Sequence, residues 1–305
     1  MENKKRLSFE DEIKRNKIKS SVLMIIIVAF FIFFGYIIAM ILDPSYFFII
    51  MIFSIIISIS YTLIGYYNAE KIALASVNAR PASRAEHPQL FHAVENMAIA
   101  SGLPVPKVYV MESNQINAFA SGRNPEKAVI CITTGALKKL NKQELEGVIA
   151  HEMSHIANYD IRFMTLTAIL IGLISIVAQM FLRSFWFGIG SNNRENKNNA
   201  GLVIFMVGII LAILAPLFAN LVALAISRKR EYGADAMGVK LTRYPPGLKN
   251  ALIKIKNESV YESDNKRYSK AIAPLFISDP FKRKIKSLFS THPPLEERIS
   301  KLERM

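Results

Sequence analysis

Four apolar stretches, each long enough to cross a bilayer, constrain this 305-residue chain more than any other feature. They run over about Ser21–Leu42, Tyr46–Tyr67, Met164–Leu182 and Leu202–Ile226. The first holds ten consecutive uncharged residues from Ile25 to Phe34, and at the helical rise it reaches roughly 33 Å. Only Asp43-Pro44-Ser45 separates the first two runs, so they are predicted to form a tight helical hairpin. The 51% hydrophobic content and the mean hydropathy of +0.26 are concentrated in these runs. The segment before the first run contains acids, and no small-residue cleavage site follows it, which argues against a removable signal peptide. The run interiors carry almost no ionisable side chain, which leaves no obvious ion or proton path and disfavours a transporter or channel.

Basic residues near the span ends predict orientation. Lys4, Lys5, Arg6, Lys14, Arg15, Lys17 and Lys19 precede the first run, whereas the short turn after it has no lysine or arginine. The expected division is a basic segment over 1–20, a membrane hairpin over 21–67, a polar region over 68–162, a second hairpin over 163–226 and a polar region over 227–305. Both polar regions are expected on the cytoplasmic side of the plasma membrane. The net charge of +14 and the pI near 9.7 suit apposition to an anionic leaflet. Nucleic acid is not an expected partner, because no recognition motif accompanies the charge. The cluster Lys282-Arg283-Lys284-Ile285-Lys286 reads as a solvated basic face or a headgroup contact.

The chemistry sits in His151-Glu152-Met153-Ser154-His155. On a helix, positions i and i+4 share a face, so two imidazoles at that spacing can share a metal ion with the glutamate beside them. The helix has its own signals: Asn141 as N-cap with Glu144 as capping-box partner, and an apolar stripe of Leu145, Val148, Ile149, Met153 and Ile156. The competing reading is a pair of surface histidines on an ordinary amphipathic helix. A catalytic zinc takes three protein ligands and keeps the fourth position open, so a third ligand is needed. The one cysteine, Cys131, lies in an apolar run and reads as a buried strand residue. His87, His92 and His292 are the other histidines, the first two in a polar segment that reads as surface; Glu231, in Arg230-Glu231-Tyr232-Gly233-Ala234-Asp235, is the better candidate.

The chain resembles the HtpX-like membrane zinc metallopeptidases, relatives of the prenyl-protein endopeptidases that act in CAAX processing. The likeness rests on Asn117-Ala118-Phe119-Ala120, the HExxH motif, the Glu231-x-x-x-Asp235 pair, and Thr291-His292-Pro293-Pro294 with Arg298, in that order. It implies Glu231 as the third ligand to one zinc ion per chain. Asp235, a helical turn beyond, would then orient a ligand imidazole. The resemblance further implies that Asn117–Ala120 form the strand edge on which substrate is added. It also implies that His292 and Arg298 help bind the developing oxyanion or substrate carbonyls.

The expected fold is therefore an α-helical membrane protein with four candidate transmembrane helices plus an α+β zincin-like catalytic domain of gluzincin type. A helix is predicted over Ala85–Ser101, and strands over Lys107–Met111, Ile116–Ala120 and Ala128–Thr133. A mobile loop is predicted over Asn257–Lys270, with self-cleavage as a corollary. The expected function is zinc-dependent endoproteolysis of membrane or membrane-proximal proteins, in the misfolded-protein quality control and stress response that the resemblance implies. Glu152 would act as general base and then acid. The expected partners are protein or peptide substrates and the lipid bilayer. The alternatives are a CAAX-type prenyl-protein protease, disfavoured by only four candidate spans, and a non-catalytic membrane scaffold.

Overall fold

The computed structural model describes residues 9–41, 44–173, 208, 228–258, 270–278 and 293–305. The helices are α1 (Phe9–Ile41), α2 (Phe47–Tyr67), α3 (Ala69–Ser76), α4 (Pro88–Ser101), α5 (Thr134–Lys139) and α6 (Lys142–Ala157). They continue with α7 (Asp160–Leu173), α8 (Arg228–Thr242), α9 (Pro245–Asn257) and α10 (Leu295–Leu302).

Two described helices are long and apolar enough to cross a membrane, over Ile13–Tyr36 and Phe47–Tyr67. The first belongs to a 33-residue helix that is already formed at Phe9, well before the apolar run. The charged stretch Glu10–Lys19 continues the helix because it contains strong helix formers and neither glycine nor proline. On α2, Phe48 is 77% exposed and Phe53 60%. A contiguous apolar surface of this kind is stable only against lipid or another apolar face. The third apolar run enters the described residues only as the end of α7, and the fourth only at Gly208. The expected loop at Asn257–Lys270, the 282–286 basic cluster and Thr291-His292 likewise lie wholly or mostly outside the described residues.

Four strands form one sheet in the order β1-β2-β4-β3, where β1 is Arg80–Pro81, β2 Lys107–Met111, β3 Ala118–Ser121 and β4 Val129–Thr133. The β2–β4 pair is parallel, and β3 runs antiparallel to β4 with Phe119 opposite Cys131. Strand alternation sorts the side chains. Val108, Val110, Ala118, Ala120, Ile130 and Ile132 pack with α4, α6 and α9 in one core. Met111, Phe119, Val129 and Cys131 pack on the other face with Ala73, Leu74, Val77, Met164 and Phe276. Burial on both faces accounts for the apolar run from Val129 to Ile132 in β4.

The capping box forms as predicted. Asn141 Oδ1 accepts from the Glu144 N–H at 2.9 Å, and Glu144 Oε2 accepts from the Asn141 N–H at 2.8 Å; such caps contribute about 1 kcal/mol. Helix α6 packs against α9 with its backbone at Gly147, where a Cβ would lie 2.5 Å from the Leu248 nitrogen. A Gly147→Ala protein is therefore expected to lose about 1–3 kcal/mol by forced separation of α6 and α9, read as a lower thermal midpoint in detergent; an unchanged midpoint would refute the close contact.

Candidate metal centre

Helix α6 ends at a corner. Between α6 and α7 the chain turns by 85°, with Tyr159 in the left-handed region at φ 59°. This corner sends the metal helix into the soluble core and α7 along α1, where Leu23, Ile27 and Phe30 meet Phe163, Leu166 and Leu170. Helix α8 runs against α6 so closely that a Cβ on Gly238 would lie 3.2 Å from the His151 nitrogen. The close approach lets Glu231 and Asp235, one turn apart on α8, both reach the histidines.

His151, His155 and Glu231 each offer a ligand atom within 4.8 Å of the others, and all three are buried. His151 Nε2 lies 3.3 Å from His155 Nε2, and Glu231 carboxylate oxygens lie 3.6 Å from each. Tetrahedral zinc with bonds of about 2.0–2.2 Å requires ligand atoms about 3.3–3.6 Å apart, so the three donors fit the ion. The remaining ring nitrogens point outward to carboxylates. His151 Nδ1 lies 3.0 Å from Asp235 Oδ1 and His155 Nδ1 lies 3.0 Å from Asp160 Oδ2. Each pair selects the tautomer that leaves Nε2 as the donor atom.

The surrounding carboxylates favour positive charge at the site. Burial acts to lower the His155 pKa, but the hydrogen bond that its Nδ1–H donates to Asp160 and the charges of Glu231, Asp160 and Glu152 outweigh it, raising it to about 9. Burial would likewise raise the Asp235 pKa, yet the Arg298 charge and the hydrogen bonds with His151 and Arg298 hold it well below the usual carboxylate range. Glu152, 1% exposed, is shifted upward, chiefly by burial and against the opposing charges of the two histidines. It accepts a hydrogen bond from the backbone N–H of Ala120, so β3 lies directly beside it.

Several residues sit differently from the sequence expectation. Arg298 is fully buried rather than turned to an open cleft. Its Nε and Nη2 donate to Asp235 at 2.9 and 2.7 Å, and its Nη1 donates to the Ile277 carbonyl at 3.1 Å. Its Nη1 also lies 3.4 Å from Glu231 Oε2, so the guanidinium faces both acidic residues of α8. The strand edge at Asn117–Ala120 is present, but part of its outer side is already paired. The Ile277 N–H donates to the Ala118 carbonyl at 2.9 Å, Asn117 Nδ2 donates to the Ser278 carbonyl at 3.0 Å, and Phe119 forms an antiparallel bridge with Phe276. His92 is exposed and His87 half-buried, both apart from the metal cluster. His292 lies outside the described residues. Asp160 was not anticipated; its only signal is a carboxylate five positions past His155, just beyond the helix end, and helical periodicity is silent about corners.

Known proteins resemble this chain over most of its length. Residues 84–305 match the model of Peptidase family M48. Over 256 residues the chain is 49% identical to a Protease HtpX homolog of Caldanaerobacter subterraneus subsp. tengcongensis, covering 84% of each chain. Over 301 residues it is 40% identical to a Protease HtpX homolog of Dictyoglomus thermophilum, covering 99% of this chain and 96% of that one. Among solved structures it is similar to the crystal structure of S. mikatae Ste24p, with a TM-score of 0.49 and 21% identity. That likeness covers 94% of this chain and 65% of the other, so this chain spans less than two thirds of that protein's length.

Proposed function

Because this chain belongs to peptidase family M48, and is a metal-dependent protease with two helices apolar enough to cross a membrane, we propose that it is a zinc endopeptidase acting on membrane or membrane-proximal proteins. One observation carries the reading: three buried donors converge at zinc-ligand spacing, with Glu152 on the same helix as two of them. His151, His155 and Glu231 would hold the ion. When bound, zinc supplies Lewis acidity, polarising the scissile carbonyl and acidifying water beside it.

The chain's own residues do the rest. Glu152, its carboxylate made more basic by burial, takes the proton of the attacking water and later delivers it to the leaving amine. Asp235 and Asp160 hold the imidazole tautomers, and Arg298 holds Asp235. The Asn117–Ala120 strand receives an extended substrate beside Glu152, next to or in place of the 276–278 segment, through main-chain hydrogen bonds that tolerate many sequences. His292 is retained as a candidate oxyanion donor. The α1–α2 hairpin, with the second hairpin over 163–226 as a further pair of spans, would hold both catalytic halves, 68–162 and 227–305, on the cytoplasmic face. The substrates suited to such a site are unfolded segments near the bilayer, as in membrane-protein quality control.

Removal of the metal tests this directly. A chelator is expected to abolish cleavage of an unfolded protein substrate by detergent-purified enzyme, and about one equivalent of zinc to restore it. Undiminished cleavage by protein shown to be metal-free would sink the proposal.

A further inference from the structure

Both ligand histidines lean on a carboxylate, but the two carboxylates are supported from different parts of the molecule. Asp235, behind His151, is gripped by Arg298 of α10 in the soluble domain. Asp160, behind His155, accepts a hydrogen bond at 2.8 Å on Oδ1 from the side-chain amide of Asn16, which belongs to the membrane helix α1. We propose that Asn16 is a positioning residue of the metal centre, its amide fixing Asp160 and, through Asp160, the imidazole of His155. The inference rests on the zinc peptidase reading.

The local arrangement fits that role better than a simple tether between membrane helix and soluble domain. Asn16 is 5% exposed and Asp160 1%, so their hydrogen bond is shielded from water and stronger than a surface contact. The same Nδ2 also donates to the Asn158 carbonyl at 2.9 Å. One amide therefore grips the chain on both sides of Tyr159, whose left-handed conformation is strained for a residue other than glycine. The Lys17 ammonium lies 4.4 Å from the centre of the Tyr159 ring, adding a second hold from α1 on the corner. Ser20, one turn on and fully buried, donates to the Asn16 carbonyl at 2.8 Å. Arg230 also pairs with this carboxylate, its Nε 3.9 Å from Oδ1, a charge contact longer than the hydrogen bond from Asn16. Asp160 Oδ2 meets His155 while Oδ1 meets Asn16. Rotation of the carboxylate would break both contacts together, so the orientation of the imidazole depends on a residue of α1.

The test uses the full chain in detergent and reads zinc affinity by competition with a chromophoric chelator, together with the visible spectrum of the cobalt-substituted protein. Asn16→Leu keeps the branched shape of the side chain and favours the helix while deleting the donor; Asn16→Gln keeps an amide. Supports for ligand histidines typically contribute 10–100-fold to metal affinity. Asn16→Leu is expected to weaken zinc binding about 10-fold and to shift the cobalt bands, and Asn16→Gln to recover most of the loss. In an Asp160→Asn background the Asn16→Leu change should add less than about twofold, because the two residues act in series. Wild-type zinc affinity in Asn16→Leu, or a loss that multiplies with that of Asp160→Asn, would overturn this inference alone, provided that the wild type binds zinc and cuts. A wild type that neither binds zinc nor cuts would overturn the peptidase reading, and this inference with it.

Discussion

A Glu152→Gln protein should bind about one zinc per chain and yet cut its substrate about 10²–10⁴-fold more slowly, the range associated with loss of a general acid–base. The substitution keeps the shape of the side chain and an oxygen able to accept from the Ala120 N–H, so the packing between α6 and β3 survives. What disappears is the proton acceptor. Glu152 is not among the three converging metal donors, so metal content should hold while turnover falls. The loss should appear in kcat rather than KM, since an amide at this position leaves the contacts along β3 unchanged. Metal analysis on the same preparation decides the meaning: loss of zinc together with activity would show Glu152 to be structural, and full activity would remove it from the mechanism.

The second large effect is expected at Arg298. Its guanidinium is fully buried and satisfies both oxygens of Asp235, so Arg298→Met leaves a buried carboxylate without its cation. Breaking one side of a buried ion pair typically costs 3–5 kcal/mol, and for a domain of this size that lowers the thermal midpoint on the order of 10 °C. Asp235 would then rise toward protonation and stop accepting from His151 Nδ1, so zinc affinity should fall as well, by about 10–100-fold. The paired change Arg298→Met with Asp235→Leu removes both charges and is expected to regain much of the stability but not the zinc affinity. A single Arg298→Met protein with an unshifted midpoint would contradict the buried pair.

How far the sequence could be read depended on whether the signal was local. The metal helix was legible to its first residue, because an N-cap, a capping box and a heptad-like stripe all lie within sixteen residues. Strands β2 and β4 are legible for the same reason, as short apolar runs bounded by breakers; β3 begins at Ala118, two residues after the predicted Ile116. Glu231 came from family resemblance rather than periodicity, since nothing local distinguishes it from a surface glutamate at the start of a charged helix. The contacts that stayed hidden were long-range ones. Asp160 meets Asn16 across most of the first half of the chain. Phe276 and Ile277 reach β3 from far downstream, so the pairing of the expected substrate edge could not be foreseen. Arg298 reads as an exposed helix residue until the fold closes α10 onto α8.

The separation of His155 from Glu231 along the chain has a consequence for synthesis. The motif that bears the base and two ligands leaves the ribosome first; the third ligand follows only after the apolar runs Met164–Leu182 and Leu202–Ile226. At 5–20 residues per second, that delay is on the order of several seconds. Throughout it the proposed ligand set lacks Glu231, which is made only after the intervening apolar segment. On the proposed function, chain order withholds the last proposed metal ligand until those apolar runs have been made.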